Sequence, residues 1–483
     1  MNWIDFLIFI VYMLAMLGVG FYFHLRNKNV EDYYVGGRGM GRWHIGLSVV
    51  ATDVGGGFSI GLGGLGFLIG VSGSWMLFTG LLGAWLSGVF LIPRIKRLAD
   101  KKQFFTFPEV FRHFFGKRAA LIAGLISGIG YLGFTSSQLL AGAKLASAAF
   151  VDLNLTYALI IMGFVAVVYT VLGGIKAVIY TDTVQWILLM LGLIFLGIPL
   201  SWVAVGGWET IQATLPAEFF SFNNLSWQQF LNWMVTILPI WFVGMTLYQR
   251  IYASRSVSEA RKAWMIAGLF EWPVMAFMGV GLGLISRVAY LNGMFEIHGF
   301  AAGSSMDAEM GLPLLLRTIM PVGLMGLILS AYFSAILSTA DSCLMASSSN
   351  IMHDLLQRIF PNAISQQIAM KASKIMTLVL GVLAVIIAMQ LTEVLSLMLY
   401  SYAFMVSGLL IPLLAAVFLN QRNELAALGA MIAGGGTTIS LLIIEAKLPY
   451  GLDANVFGIL ASFLTYLIFY NSHKLLKHGN TNL

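Results

Sequence analysis

The sequence is dominated by apolar stretches of about 20 residues, each long enough to cross a bilayer as a helix. Only 10% of its residues are charged, whereas a soluble domain carries about a quarter. We therefore expect an all-α integral membrane protein with about 13 transmembrane helices. The predicted spans are 6–23, 45–69, 75–91, 119–149, 157–172, 179–205, 230–247, 265–285, 322–346, 375–389, 394–419, 425–444 and 456–470.

The basic residues are concentrated in alternate loops, which predicts an orientation. If the amino terminus lies outside, nearly all of the 27 Lys and Arg residues, Arg250 among them, fall on the cytoplasmic side. The exceptions are Lys144, Arg287, Arg317 and Lys447. The net charge of +6 then reflects topology rather than nucleic-acid binding. The sequence predicts a multi-pass protein of the cell (inner) membrane with a cytoplasmic carboxyl terminus, and it indicates no obligatory protein partner.

No long polar linker divides the chain, so residues 1–483 are expected to form one domain. Segment 104–115 is aromatic and basic, and it fits either an amphipathic helix on the inner surface or a loop helix packed on the bundle. A single cysteine, Cys343, excludes an intrachain disulfide. The sequons at Asn154 and Asn224 matter only in a secretory pathway. The sequence has no Walker motif, which argues against ATP-driven transport. No enzymatic activity is expected.

Two of the apolar segments are interrupted by small and polar residues. Segment 45–69 is interrupted at 51–57 (ATDVGGG), and segment 321–352 is interrupted at 334–342 (SAILSTADS). Unwound backbone is tolerated at membrane depth only where it lines a cavity or is buried in protein. Paired interruptions in the two halves of a transporter point to its binding site. This pattern predicts an ion-coupled carrier.

The second interrupted segment places oxygen-bearing side chains on one helical face, namely Ser334, Ser338, Asp341 and Ser342. Hydroxyls, carboxylates and carbonyls are the ligands that a hard cation prefers. Small residues also allow close helix packing, which is the alternative explanation. An acid inside a membrane helix is costly and favours a functional role, and Asp53 in the first segment is a second example.

Three motifs resemble the solute:sodium symporter family, which includes sodium/proline, sodium/sugar and choline-type carriers. They are residues 173–185 (GGIKAVIYTDTVQ), residues 32–38 (DYYVGGR) and residues 335–339 (AILST). The similarity extends over about residues 32–354 and more weakly beyond. It implies a LeuT-type fold of two inverted five-helix repeats, 45–206 and 228–419, with peripheral helices at 1–30 and 424–472. The second interruption would then lie in a later helix of its repeat, rather than in the first.

The resemblance also implies ion ligands. The main sodium site would comprise the carbonyls of Ala51, Val54 and Ala335 and the hydroxyls of Ser338 and Thr339. A second sodium could be held by Asp182, Ser338, Asp341 and Ser342, although Asp341 stands where such family members carry a hydroxyl. Asp182 could instead cap the helix that follows it.

For the solute, we expect a cavity beside the first interruption. The candidate residues are Asp53, Gly55, Gly56, Gly57, Phe58, Trp75, Phe78, Tyr131, Thr135, Gln138, Trp241, Met245 and Tyr248. Aromatic walls with a few polar groups suit a small organic solute, although a chain with 34 Phe, 17 Tyr and 12 Trp places aromatic rings near any cavity.

The expected function is sodium-driven import of an amino acid or small amine. The alternatives are a proton-coupled carrier that uses Asp53, Asp182 or Asp341, uptake of a sugar or organic anion, and a membrane sensor. Glu271 could face the interior or reach toward the inner surface. Lys144 and Arg317 could attract an anion if they were unpaired.

Overall fold

The structure is a computed structural model that describes residues 2–26, 36–150, 153–359 and 366–479. Within these ranges, some side chains also lie outside the description: 17, 20, 23–26, 36, 53, 54, 57, 58, 172–177, 366–370 and 473–479. The described chain is almost entirely helical, as the sequence predicts.

Twenty α-helices follow one another along the described chain. They are α1 Trp3–Arg26, α2 Arg42–Ile69, α3 Trp75–Leu86, α4 Ile92–Lys102, α5 Pro108–Phe115, α6 Lys117–Ala149, α7 Leu155–Gly192, α8 Ile198–Ala204, α9 Gly207–Thr214, α10 Trp227–Val243, α11 Met245–Ala253, α12 Val257–Leu269, α13 Ala276–Leu291, α14 Gly311–Ile319, α15 Leu324–Ser349, α16 Gln357–Ile359, α17 Gln366–Ala388, α18 Val394–Leu419, α19 Glu424–Ile443 and α20 Ala454–Gly479. Short π-helical turns join α3 to α4, α7 to α8, α12 to α13 and α15 to α16.

Ten helical stretches of the described chain are long and apolar enough to cross a membrane, and two shorter apolar helices accompany them. The stretch Ser59–Lys102 counts as one of the ten, although the turn Gly70–Ser74 divides it between α2 and α3. The predicted total of thirteen spans therefore stays a prediction.

The long helix α7 cannot be one straight rod. Thr170 contacts Asp341, and Asp182 contacts Ser338, which lies within one turn of Asp341 on α15. Twelve residues of straight helix would separate Thr170 from Asp182 by about 18 Å. The chain must therefore bend between them, and the Tyr169 hydroxyl accordingly lies 3.3 Å from the Thr181 hydroxyl, twelve residues further along. The division into the spans 157–172 and 179–205 stays a prediction.

Backbone breaks lie at Gly55 in α2, at Gly244, which separates α10 from α11, and at Trp272, between α12 and α13. The first two contact α6. Gly55 has φ +23° and ψ −158°, a conformation that favours glycine. Pro239 in α10 has no amide hydrogen to give to the Val235 carbonyl, and the Asn455 side chain donates to that carbonyl instead. The second break therefore lies in the first helix of the predicted second repeat.

The predicted interruption at 334–342 is wrong, because α15 runs without a break from Leu324 to Ser349. Its hydroxyl groups remain compatible with a helix, since Ser330 and Thr339 hydrogen-bond to carbonyls one turn earlier. Nearly all of α15 is buried, and it packs against α2, α6 and α7. The helix is therefore the centre of the bundle.

The peripheral elements pack as follows. Helix α1 lies against α7 and α15, whereas α19 and α20 pack mainly on each other and on α18. In the segment 104–115, Phe107, Val110 and Phe111 are fully buried, and α5 packs against α6. This segment is therefore a loop helix packed on the bundle, the second of the two alternatives.

Candidate ion and solute site

The main predicted sodium ligands partly converge where α2 meets α15. The Thr339 hydroxyl lies 3.1 Å from the Ala51 carbonyl and 3.2 Å from the Ala335 carbonyl. All three residues are at least nine-tenths buried. Three hard oxygen atoms from two helices therefore meet at one buried point, the donor chemistry that an alkali cation prefers.

Gly55 makes this meeting possible. A Cβ atom at Gly55 would lie 2.8 Å from Cβ of Thr339, a distance that side chains essentially never tolerate. The absence of a side chain thus allows α2 to approach α15 at the break. The neighbouring side chains at 53, 54, 57 and 58 lie outside the described residues, so the roles of Asp53, Val54, Gly57 and Phe58 stay predictions.

Asp182 is the centre of a second buried cluster. Its Oδ1 accepts a hydrogen bond from the Ser338 hydroxyl, and its Oδ2 accepts one from the Ser48 hydroxyl at 2.5 Å. The Arg250 guanidinium lies 3.2 Å from the same Oδ2, and both charged side chains are fully buried. Asp182 therefore joins α7 to α2, α11 and α15, and the interpretation as a helix cap is wrong.

Arg250 is a buried partner of Asp182 that the sequence does not predict. It was assigned to the cytoplasmic loops, but the structure places it at 0% exposure inside the bundle. The positive-inside rule assigns an Arg near the end of a membrane span to the adjacent cytoplasmic loop. Its position six residues after the break at Gly244 was the available signal, because a broken helix can carry a charged side chain inward.

The four predicted ligands of a second sodium do not form one open site. Ser342 Oγ accepts a hydrogen bond from Arg250 at 3.0 Å. Asp341 accepts one from the Thr170 hydroxyl through Oδ1 at 2.5 Å. Asp182 and Ser338 are bonded to each other. The residues are brought together, and their side-chain oxygen atoms have partners from the protein itself, except Oδ2 of Asp341, which is buried without a hydrogen-bond partner.

The predicted polar stripe on α6 contacts the first two backbone breaks. Gln138 accepts a hydrogen bond from the Gly56 amide at 2.8 Å, next to the first break. The Tyr131 hydroxyl lies 3.0 Å from the Thr246 hydroxyl and accepts from its amide at 3.2 Å, next to the second break. Thr135 lies between them and donates to the Tyr131 carbonyl of its own helix. The stripe is therefore real, and it lies where both breaks meet α6.

The predicted aromatic residues of the solute site are spread over a larger part of the protein than the polar stripe on α6. Trp75 donates from its indole to the Phe222 carbonyl, and Phe78 makes an edge contact with Trp272. Trp241 contacts Trp264 at a ring separation of 6.4 Å.

Two further candidates lie near the packed segment 104–115. Met245 accepts from the Phe107 amide through its sulfur at 3.1 Å, and Tyr248 lies 4.4 Å from the Phe107 ring. Trp75, Phe78 and Trp241 thus pack with other aromatic rings, and Met245 and Tyr248 pack with Phe107.

The sequence alone does not decide the roles of Lys144, Arg317 and Glu271, but the structure shows their surroundings. Lys144 is paired with Asp307 at 2.5 Å and with Glu309 at 2.6 Å, and Glu309 also accepts from two amides at the start of α18. Arg317 donates to the Ala148 carbonyl. Glu271 is fully buried and packs on Gly80 in the interior. Lys144 therefore has acidic partners within the protein.

A cavity of about 970 Å³ lies beside the candidate site, between α1, α6, α7 and α15. Its lining is mainly apolar, with Phe9, Phe150 and Phe333 on its walls and Ser338 at one end. It is separate from the predicted solute cavity, because neither Gly56 nor Gln138 lines it.

Comparison with known proteins gives consistent results. The model of the sodium:solute symporter family matches residues 33–434. A sodium/proline symporter of Salmonella typhimurium is 28% identical over 89% of this chain and 86% of its own length. The osmoregulated proline transporter OpuE of Bacillus subtilis is 26% identical over 97% of each chain, and the rabbit (Oryctolagus cuniculus) sodium/glucose cotransporter 1 is 25% identical over 92% of this chain and 72% of its own.

A solved structure of a Na⁺-coupled sialic acid symporter, in a substrate-bound outward-open state, aligns with a TM-score of 0.80. It is 24% identical and covers 97% of each chain. This likeness shows that the two proteins share one fold.

Proposed function

The chain belongs to the sodium:solute symporter family, and from that premise we propose that it imports a small organic solute by coupling it to the inward movement of sodium. It is therefore a transporter and not an enzyme. The finer parts of the proposal are the sodium ligands, the class of solute and the orientation in the membrane.

The observation that carries the sodium proposal is the meeting of Ala51, Ala335 and Thr339 at the break in α2. These residues supply two carbonyls and one hydroxyl, with Ser338 and Val54 as the remaining proposed ligands. A sodium ion held there would draw α2 and α15 together. Sodium binding would thereby stabilise one arrangement of the two helices and prepare the adjacent solute site.

We place the solute between the first two breaks, along the stripe of Tyr131, Thr135 and Gln138. Gln138 and Tyr131 accept from the amides of Gly56 and Thr246, and such backbone groups are well suited to recognise polar groups of a small solute. An amino acid or small amine is favoured by the proline transporters among the relatives. A sugar is the second candidate, which the relative sodium/glucose cotransporter supports.

The proposed cycle follows alternating access. From outside, sodium binds first, the solute follows, and rocking of the helices exposes both to the cytoplasm, where low sodium favours release. This direction assumes that the amino terminus lies outside, as the distribution of basic residues predicts.

The proposal is tested by uptake into proteoliposomes with an inward sodium gradient at clamped pH. Proline, other amino acids, small amines and glucose are offered in turn as labelled solutes. We expect uptake of an amino acid or amine that requires the sodium gradient. Uptake that follows an imposed proton gradient and ignores sodium would refute the sodium proposal and support the proton-coupled alternative.

A further inference from the structure

We propose that the cavity beside α1 is a lipid site, which takes one acyl chain of a membrane phospholipid from the surrounding bilayer. The cavity has a volume of about 970 Å³ and lies between α1, α6, α7 and α15. Of the proposed sodium ligands in the described chain, only Ser338 is among its lining residues. The inference therefore goes beyond the proposed transport function and does not depend on it.

The first support is the chemistry of the lining, which consists mainly of aliphatic, aromatic and methionine side chains. Among the lining residues of the described chain, none carries a charge. Three of them are Met13, Met16 and Met162, and the flexible side chain of methionine adapts to apolar ligands of irregular shape. Because a cavity of this kind takes up apolar molecules rather than water, a hydrocarbon chain fits it better than a charged solute does.

The second support is the length of the cavity, which follows one face of α1 from Trp3 to Met16. Thirteen steps along a helix measure about 20 Å. Ring contacts mark successive levels on the way: Phe6 lies 6.4 Å from Phe150, and Phe9 lies 5.3 Å from Phe333. The hydrocarbon of one leaflet is about 15 Å thick, so the cavity has the length of one acyl chain lying parallel to α1.

The third support is the surface onto which the cavity opens. Four of its lining side chains are exposed, namely Trp3, Phe6 and Ile10 on α1 and Ile161 on α7. These residues lie on the two shorter apolar helices of the described chain. In a membrane protein, large apolar side chains on such helices face lipid, and a tryptophan at a helix end favours the level of the headgroups. The rim of the cavity therefore adjoins acyl chains rather than water.

The attachment of α1 to the bundle maintains the space between them. The Asp5 carboxylate is buried, and its Oδ1 accepts hydrogen bonds from the amides of Gly323 and Gly326 at 2.7 and 2.9 Å. These amides lie at the start of α15, where a carboxylate is favoured by the helix dipole. The edge contact of Phe9 with Phe333 fastens α1 at a second point. The cavity thus lies beside a helix that is fixed in place.

The deep end of the cavity sets the direction of the chain. The Tyr169 hydroxyl lies 3.3 Å from the Thr181 hydroxyl, and Ser338 donates to Asp182, so these polar groups already have partners. Oε1 of Gln185 is the exception, since it is buried without a hydrogen-bond partner. We expect the methyl end of the acyl chain here and the glycerol ester near the rim. A fatty acid with its carboxyl group donating to Gln185 would lie the other way round, and the experiment distinguishes the two.

The experiment is photolabelling of the full-length protein in phosphatidylcholine vesicles. A small fraction of the lipid carries a diazirine in one acyl chain, either at the methyl end or next to the glycerol ester, and mass spectrometry locates the labelled residues after irradiation. The methyl-end probe should label the buried Tyr169 and Leu337, whereas the probe next to the ester should label Phe150 and Leu153 near the rim. Both probes should label exposed residues such as Leu464 on α20, which serves as the internal reference.

Matched variants separate the cavity from the lipid that surrounds the whole protein. Ala158→Phe places a ring in the cavity, because Ala158 lines it and is fully buried, and it should lose most of the labelling at Leu337 relative to Leu464. The control Ala204→Phe adds the same ring at an exposed position on α8 and should keep the wild-type pattern. If Ala158→Phe folds and Leu337 is labelled as in the wild type, the inference is wrong.

The depth pattern of the wild type decides the question even if no variant folds. Labelling confined to exposed residues would show that no acyl chain enters the cavity and would overturn the inference. Palmitic acid with a diazirine at its methyl end is the matched probe for a free fatty acid. If it labels the cavity and the phospholipid probes do not, the occupant is a fatty acid and the phospholipid inference is wrong. Sodium-driven uptake is measured separately, so none of these results bears on the proposed function.

Discussion

Replacing Gly55 by alanine should damage both the stability of the fold and its response to sodium. An L-residue at φ +23° and ψ −158° costs about 1–3 kcal/mol. The added Cβ would also lie 2.8 Å from Cβ of Thr339, and relieving such an overlap in a packed interior costs about 1–3 kcal/mol more. We therefore expect Gly55→Ala to lose about 2–6 kcal/mol of stability.

The part of this cost that displaces Thr339 falls on the proposed ion site. A loss of about 1.4 kcal/mol there would raise the sodium concentration for half-saturation about tenfold. The assay is thermal unfolding of the purified protein across a sodium series, with Gly281→Ala as the control. A Cβ at Gly281 meets nothing within 4 Å, so that variant should melt and respond to sodium as the wild type does. An unchanged melting temperature and sodium midpoint for Gly55→Ala would refute the reasoning.

Three further changes give separable results. Thr339→Ala should raise the sodium concentration for half-maximal uptake at least severalfold, while the solute affinity at saturating sodium changes less. If a well-expressed variant keeps the wild-type dependence of uptake on sodium concentration, this hydroxyl is not a sodium ligand. Gln138→Leu should leave the Gly56 amide without its hydrogen-bond acceptor, at a cost of about 1–3 kcal/mol. Titration of the solute at fixed sodium should then show weaker solute binding, whereas a change only in the sodium concentration for half-maximal uptake would contradict this prediction. Lys144→Met should lower the free energy of unfolding by about 3 kcal/mol, because it leaves the buried Glu309 carboxylate without its partner charge. The control is Lys447→Met, which removes an exposed lysine and should change the free energy of unfolding little. Equal melting temperatures of the two variants would contradict this prediction.

The sequence is sufficient for the fold class, and it identifies several residues of the proposed ion site that the structure brings together. The spacing of Ala335 and Thr339 on one helix, together with the break near Ala51, follows from local pattern and family resemblance. The structure brings these residues within hydrogen-bond distance. Asp182 was likewise a candidate, and it does meet Ser338.

The second break could not be found from the same pattern. A run of Ser, Thr and Ala predicts unwinding only if its hydroxyl groups do not hydrogen-bond to carbonyls of the same helix. In α15, the hydroxyls of Ser330 and Thr339 donate to carbonyls one turn earlier. Pro239 and Gly244 carry the true signal, since one removes an amide donor and the other tolerates a sharp change of direction.

The partners of buried charges were also beyond local reasoning. Arg250 and Asp182 are 68 residues apart, and Lys144 and Glu309 are 165 apart. Nothing in the local sequence of one member identifies the other. Counting Arg250 as a loop residue was reasonable for a charge near a span end, and it was wrong because the helix breaks before that charge.

Helix α6 touches the first two breaks from positions seven residues apart, Tyr131 and Gln138. Seven residues of helix measure about 10.5 Å and return to nearly the same face. The helix therefore acts as a rigid spacer of fixed length between two joints. A sideways shift or rotation of α6 would therefore displace the backbone at both breaks at the same time. The helices that contain the two breaks would then move together rather than one after the other.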